Sequence, residues 1–265
     1  MMIRELSDIH LEFIKDAEEI RREVGRIIPE LPTDSETVLI IAGDIGSTKR
    51  LAALSSFVNI VCSRFKHVIY VLGNHEHYWS DISMTEYALR IELTNSNLAI
   101  AGNFVQTVVI DDVTFHAATL WTDYEKSPDE MKAVASRFLN DHRYINDGAD
   151  LFTPDKAQKI HASCKRQLAK LMKGKDNSKT VIITHHLPTY KAVHPRYGDD
   201  PLNGAFASDL DAFILKHQPA YWFFGHTHDA YNGTIGNTQL VCNPVGYPNE
   251  QLKNNGFHPS NVFTI

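Results

Sequence analysis

The 265-residue chain is 43% apolar and carries a formal net charge of −6. That length and apolar content supply a core for one large α/β domain, while the acidic balance argues against extensive contact with a nucleic-acid backbone and leaves room only for a local basic patch. No run approaches the ~20 apolar residues of a membrane span, and the scattered Cys62, Cys164 and Cys242 read as reduced thiols of a cytoplasmic chain.

The opening segment is expected to be a strand, although Arg4 and Glu5 interrupt its apolar run. Residues 38–42 and 68–72 are apolar runs of the kind that buried strands show. Between them, Leu51, Leu54, Val58, Cys62 and Phe65 recur at helical spacing over residues 48–65, so that helix packs one face on the sheet. Ser83 and Glu86 fit a capping box opening a helix to about Leu93. Residues 105–111 and 113–119 read as a hairpin turning at Asp111-Asp112.

Residues 122–174 are polar and mostly helical, an insertion in the otherwise layered pattern. Within it, Thr153-Pro154-Asp155 opens a helix with an N-cap, a proline at the first position and an acid in the first turn. Its apolar stripe is Ala157, Ile160, Cys164, Leu168 and Leu171, and Gly174 ends it. Residues 181–184 and 220–224 are two more buried strands. Between these two, Ser208 and Asp211 begin a helix ending near Pro219. Residues 234–235, 239–242 and 262–265 close the pattern as short strands, with Asn243-Pro244 and Gly246 forming a turn near the strand ends. No repeat or linker divides the chain, so residues 1–265 are expected to form a single domain.

Five polar clusters stand out against this background: Asp8-Ile9-His10, Gly43-Asp44, Gly73-Asn74-His75-Glu76, His185-His186 and Gly225-His226-Thr227-His228. The last four directly follow apolar runs. Groups placed just past the carboxyl ends of strands in an open α/β sheet converge on one crevice. Imidazoles, carboxylates and an amide meeting there would compensate their charge by binding metal. Nitrogen and oxygen donors without cysteine suit Mn, Fe or Zn. The set exceeds what one tetrahedral ion needs but would serve two ions sharing a carboxylate, ~3.5–4 Å apart. The first cluster begins at Asp8, which leaves no room for a signal peptide ahead of it.

In this order, from Asp8 to His228, the clusters resemble those of the calcineurin-like metallophosphoesterases. The resemblance implies a two-sheet β-sandwich flanked by helices, in four α/β/β/α layers, with a dinuclear centre at one edge. It implies that Asp8, His10 and His228 hold one divalent ion, that Asn74, His185 and His226 hold the other, and that Asp44 bridges both. His75 matches the family's catalytic histidine. One departure matters: in the protein serine/threonine phosphatases, Gly-Asp continues to an acidic residue and an arginine, whereas here Asp44 is followed by Ile45-Gly46-Ser47-Thr48. The reading therefore leans toward small phosphodiesters or phosphomonoesters.

The chemistry follows from general considerations. Two cations neutralise phosphoryl oxygens and lower the pKa of a bound water toward ~7, giving a hydroxide nucleophile. A general acid such as His75, protonating the leaving alkoxide, typically contributes ~10²–10⁴-fold. Of the paired histidines only one can face the metal, because neighbours leaving a strand point in opposite directions; the resemblance implies His185, where the family's single motif histidine aligns. His186 then packs or orients a neighbour, and His77 lines the pocket or caps a turn. For substrate contacts the sequence offers the run Asp141-His142-Arg143-Tyr144, with His142 and Arg143 foremost, within the rim of residues 121–144. It also offers His194 and Arg196 in the cationic, aromatic loop after His186. The alternatives are a nuclease of the same fold and a non-catalytic, metal-stabilised scaffold. Oligomeric state is not legible.

Overall fold

Every residue of the run Thr37–Ala42 is buried, and a strand can be apolar on both faces only where both faces are covered. The computed structural model, which describes all residues except 15, 125–128 and 252–254, shows how. In chain order the first half gives β1 (Met2–Leu6), α1 (Ala17–Ile27), β2 (Thr37–Ala42), α2 (Leu51–Arg64), β3 (His67–Val71), α3 (Thr85–Glu92), β4 (Leu98–Ala101), β5 (Gln106–Ile110) and β6 (Val113–Ala118). The second half gives α4 (Asp129–Phe138), α5 (Asp141–Tyr144), β7 (Asn146–Asp147), β8 (Asp150–Leu151), α6 (Pro154–Met172) and β9 (Thr180–Thr184). It closes with α7 (Asp211–His217), β10 (Tyr221–Phe223), β11 (Tyr231–Ile235), β12 (Thr238–Cys242), α8 (Pro248–Gln251) and β13 (Phe263–Thr264).

These strands build two mixed sheets. One has the order β13-β1-β2-β3-β4, parallel from β1 to β4, with β13 antiparallel at the edge. The other has the order β11-β12-β10-β9-β6-β5, with four parallel strands between two antiparallel edges. Alternation along β2 divides its side chains. Val38, Ile40 and Ala42 face the second sheet and meet Phe115, Ile183 and Phe223, while Leu39 and Ile41 pack under α1 and α2. The second sheet is covered on its outer face by Cys164 and Leu168 of α6 and Ile214 of α7. The result is an α/β/β/α sandwich.

The expected hairpin forms, with Ile110 paired to Val113 across Asp111-Asp112. Thr153 caps α6 by accepting from the Lys156 amide. The buried stripe of α6 ends on Met172 rather than Leu171, which is only half-buried. The capping box at Ser83 does not form. Ser83 bonds to Asp81 instead, Glu86 pairs with Arg90, and α3 starts at Thr85. Ser208 likewise caps nothing; its hydroxyl accepts from the Asp123 amide, inside the protein.

Arg4 and Glu5 are both buried within β1. The Arg4 guanidinium donates to Asp34 Oδ1 at 2.7 Å and to the Pro29 and Pro259 carbonyls, which compensates its charge. Neither Glu5 carboxyl oxygen has a partner among the described residues. Burial, reinforced by Asp8, pushes the Glu5 carboxyl well above the usual range.

Residues 122–174 do not hang free of the sandwich. Trp121, Ile145, Phe152 and Ala157 form an apolar cluster with Tyr78 and Ile82, from the loop after β3. A bridge between Asp81 and Asn146 ties the same two segments. Part of the expected insertion, 125–128, lies outside the described residues.

Candidate metal centre

Three of the five clusters leave their strands with a sharp change of backbone direction. Asp8, His10, Asp44 and His226 all have φ between 54° and 71°, a left-handed conformation that non-glycine residues seldom adopt and that gathers at functional sites. The turns aim four side chains into the crevice between the sheets. The glycines of the clusters are required by close approach. A Cβ on Gly43 would run into the His185 ring, and one on Gly73 into the Asp44 carboxylate. One on Gly225 would sit 2.5 Å from the Ala42 carbonyl.

Two groups of donors result, with Asp44 against both. On one side the Nε2 atoms of His10 and His228 are 3.1 Å apart, and His228 Nε2 lies 3.5 Å from Asp8 Oδ1. On the other, His185 Nε2 lies 3.0 Å from Asn74 Oδ1 and 3.1 Å from His226 Nδ1. Asp44 Oδ2 is 3.5 Å from His185 Nε2 and 4.0 Å from His10 Nε2. Asp8 is itself held, accepting from the His226 amide and the Ser7 hydroxyl.

The test of whether metal fits is what each ring does with its other nitrogen, and three of the four rings anchor it, while His226 Nε2 has no partner among the described residues. His185 Nδ1 donates to the Ala42 carbonyl at 2.8 Å, His228 Nδ1 meets Glu250 Oε2 at 2.5 Å, and His10 Nδ1 meets Glu12 Oε1 at 3.1 Å. Outer partners of this kind fix the tautomer of metal-bound histidines and turn the free nitrogen inward. Nitrogens 3.1 Å apart also suit adjacent positions around one ion at ~2.0–2.1 Å from each. The residues fit two ions.

Charge in the cluster is arranged accordingly. Burial opposes ionisation of Asp44, but His185, His75 and His10 hold its carboxyl well below the usual range. Burial would depress His185 and His228, yet Asp44 raises the first to about 9, and Asp8 with Glu250 raises the second to about 10. Bound cations would take the place of those protons on neutral rings. Burial keeps His10 and His226 below the ordinary histidine value.

A family model described as calcineurin-like phosphoesterase matches residues 1–230. The chain belongs to that family. This phosphoesterase is similar in structure to the phosphopantetheinyl hydrolase (PptH) from Mycobacterium tuberculosis. The TM-score is 0.67 at 16% identity, over 95% of this chain and 92% of that one. It is also similar to the protein TT1561 of Thermus thermophilus, with a TM-score of 0.51 at 11% identity over 92% and 88% of the two chains. At such identities the likeness concerns the fold alone. No curated protein matches the sequence.

His75 sits beside both groups of donors. Its Nδ1 is 2.7 Å from Glu12 Oε1, and its Nε2 is 3.9 Å from Asp44 Oδ2 and 3.3 Å from the Tyr247 hydroxyl. His10, Asp44 and His75 also bring donor atoms within 4.8 Å of one another, so geometry by itself leaves a ligand role open to this ring. Glu76 does not reach the centre. Its carboxylate accepts from the amides of Asp44, Ile45, Gly46 and Gly73 and from the Tyr70 hydroxyl, tying the Gly-Asp and Gly-Asn-His turns together.

The remaining sequence candidates lie elsewhere. His142 is buried, facing the Tyr124 hydroxyl and the Phe152 carbonyl. Arg143 is exposed and lies against Tyr144. Arg196 is paired with Asp229, and His194 borders a separate depression on the outer loop. None of these four lines the cavity over the metal centre. His186 packs between Trp121 and His226 with Nδ1 toward the Thr119 carbonyl, and His77 is buried against Trp121. Of the run Asp141-His142-Arg143-Tyr144, Asp141 does line the cavity, whereas sequence reasoning missed Glu12, Tyr78, Tyr247 and Glu250. Of these, only Glu12 carried a usable signal, standing two positions past a candidate ligand.

Proposed function

We propose that this phosphoesterase uses two divalent ions to hydrolyse a small phosphodiester or phosphomonoester. Asp8, His10 and His228 would hold one ion and Asn74, His185 and His226 the other, with Asp44 between them. The nitrogen and oxygen donors suit Mn, Fe or Zn. When bound, such a pair neutralises phosphoryl charge and lowers the pKa of coordinated water toward ~7. The observation that carries the reading is the common orientation of His10, His185 and His228, each anchored through Nδ1 with Nε2 inward.

His75 supplies the proton to the leaving group. Burial lowers its pKa, but Asp44 and Glu12 outweigh burial and raise it to about 8; Glu12 would go on favouring the imidazolium where bound cations offset the Asp44 charge. A general acid needs that form, with its proton on the nitrogen facing the reacting group. Glu12 occupies Nδ1, so the transfer falls to Nε2, which faces Asp44 and the Tyr247 hydroxyl.

The buried, unpaired Cys62, Cys164 and Cys242 support a reducing compartment such as the cytoplasm. Among the described residues no helix is long and apolar enough to cross a membrane. Pairing of Met2 with Thr264 supports reading residues 1–265 as one unit, and within the expected insertion 122–174 helix α6 packs as a layer on the second sheet.

The test is hydrolysis of bis-p-nitrophenyl phosphate and p-nitrophenyl phosphate before and after a strong chelator. Activity should vanish on metal removal and return with Mn²⁺, Fe²⁺ or Zn²⁺. Undiminished turnover in protein shown by metal analysis to be metal-free would overturn the two-ion reading.

A further inference from the structure

The cavity over the metal centre has a volume of about 300 Å³, at the lower end of the ~300–1,000 Å³ range of small-molecule sites. Its floor is Asp44, Asn74, His75, His226 and His228. Beyond these groups, the walls change character. Leu139, Leu187, Val193, Ala205 and Phe206 contribute apolar surface, and the Phe206 ring stacks on His226 with centroids 5.1 Å apart. Neutral polar groups are present in Asn140 and Asn203.

No lysine or arginine lines the cavity among the described residues. Arg196 adjoins the lining residue Tyr197 but is turned onto Asp229. Outside the metal-binding groups, the charged side chains in the wall are the acids Asp141 and Glu250. Both are engaged: Asp141 accepts from the Asn74 amide and the Tyr78 hydroxyl, each at 2.8 Å, and Glu250 meets His228 Nδ1 and the Tyr247 amide. A second anionic group on the substrate, held in the wall away from the metal-binding floor, would meet two carboxylates and, among the described residues, no lysine or arginine, losing hydration without compensation. A cationic group would lie beside two bound divalent ions and find the Asp141 and Glu250 carboxylates already occupied by donors.

From these walls we infer that the organic part of the substrate is uncharged, a short tail with an apolar face and a hydrogen-bonding amide or hydroxyl. The phosphoryl group is then the sole charged group that enters. This rests on the hydrolase reading above, and it excludes nucleoside polyphosphates and nucleic-acid strands as the preferred substrates, because both bring further phosphates.

The test compares phosphate esters of ethanolamine N-acylated with butyrate, succinate or β-alanine, giving neutral, anionic and cationic tails on one leaving alcohol. Each is presented both as the monoester and as its p-nitrophenyl diester, so the preference is read whichever bond class is cleaved. The Mn²⁺-loaded enzyme should favour the butyryl tail over both others by at least tenfold in kcat/KM, mainly through KM. Asn140→Lys, which adds a cation to the wall, should narrow the butyryl-to-succinyl ratio several-fold. Asn237→Lys, in the turn before β12 at the opposite end of that sheet, should leave the ratio unchanged. Equal or better turnover of a charged tail would overturn the inference while the hydrolase reading stands. A ratio moved equally by both lysines would also overturn it, since net charge rather than the wall would then set the preference. Failure to cleave even bis-p-nitrophenyl phosphate and p-nitrophenyl phosphate with metal bound would overturn the hydrolase reading, and this inference with it.

Discussion

Glu12 Oε1 lies 2.7 Å from Nδ1 of His75 and 3.1 Å from Nδ1 of His10. One carboxylate thus fixes both a candidate ligand and the candidate acid. Burial opposes its ionisation, but the two imidazoles hold its carboxyl down at about 2, so it is charged wherever the enzyme works. Glu12 is among the groups that raise His75 to about 8; removing its charge must lower the His75 pKa. For an alkyl ester, wild-type turnover should fall as pH rises and His75 loses its proton. In Glu12→Gln that limb should move to lower pH, with an overall loss on the order of 10–100-fold, as for other residues that orient a metal-site histidine. A pH–rate profile checks this; an unmoved limb would detach Glu12 from the acid.

His75→Ala should retain both ions and lose about 10²–10⁴ in rate. The loss should be smallest for a nitrophenyl ester, which departs without much protonation, and largest for an alkyl ester. Metal content per chain, measured alongside both rates, separates an acid from a ligand. Lost metal, or an equal loss on both esters, would assign His75 to binding instead.

Asp44→Asn should be more damaging to metal content than any single histidine change. Its carboxylate faces both groups of donors and offsets the repulsion between two cations. The expected outcome is roughly simultaneous loss of both ions, read by elemental analysis. Two ions and near-normal turnover in the variant would mean the bridge lies elsewhere.

Asp34 binds two arginines, Arg4 and Arg64, each at 2.7 Å. Asp34→Ala would strand the buried Arg4 charge, and breaking a buried pair typically costs about 3–5 kcal/mol. Denaturant melts should show a loss of that order. Burial opposes ionisation of Asp34, but Arg64 and Arg4 lower its pKa from 3.8. A depressed carboxylate stabilises the fold above its unfolded pKa, and that contribution fades as pH drops below 3.8 through the folded value. The gap between wild type and Asp34→Ala should therefore narrow in that acid range.

The strands were legible because burial on both faces leaves an unmistakable apolar run, as in residues 38–42 and 181–184. The helix starts at Ser83 and Ser208 were not. A serine near a helix start offers the same hydroxyl to a cap, an Asp81 turn or a distant amide, and only packing selects among them. Arg4 reads as an interruption of its strand because the partner that compensates it, Asp34, lies 30 residues away.

For the site, the sequence by itself determined which residue types stand at the strand ends and in what order. Local chemistry fixes both: apolar runs make the strands, and glycine permits the tight approaches that follow them. Tertiary structure decided which donors meet, which ring nitrogen each histidine turns inward, and what walls the cavity. Those features join Glu12, Leu139, Phe206, Tyr247 and Glu250, which approach one another only once two sheets have closed. A side chain's partner across such distances is set by sheet order and loop packing, for which no local spacing in the chain carries a signal.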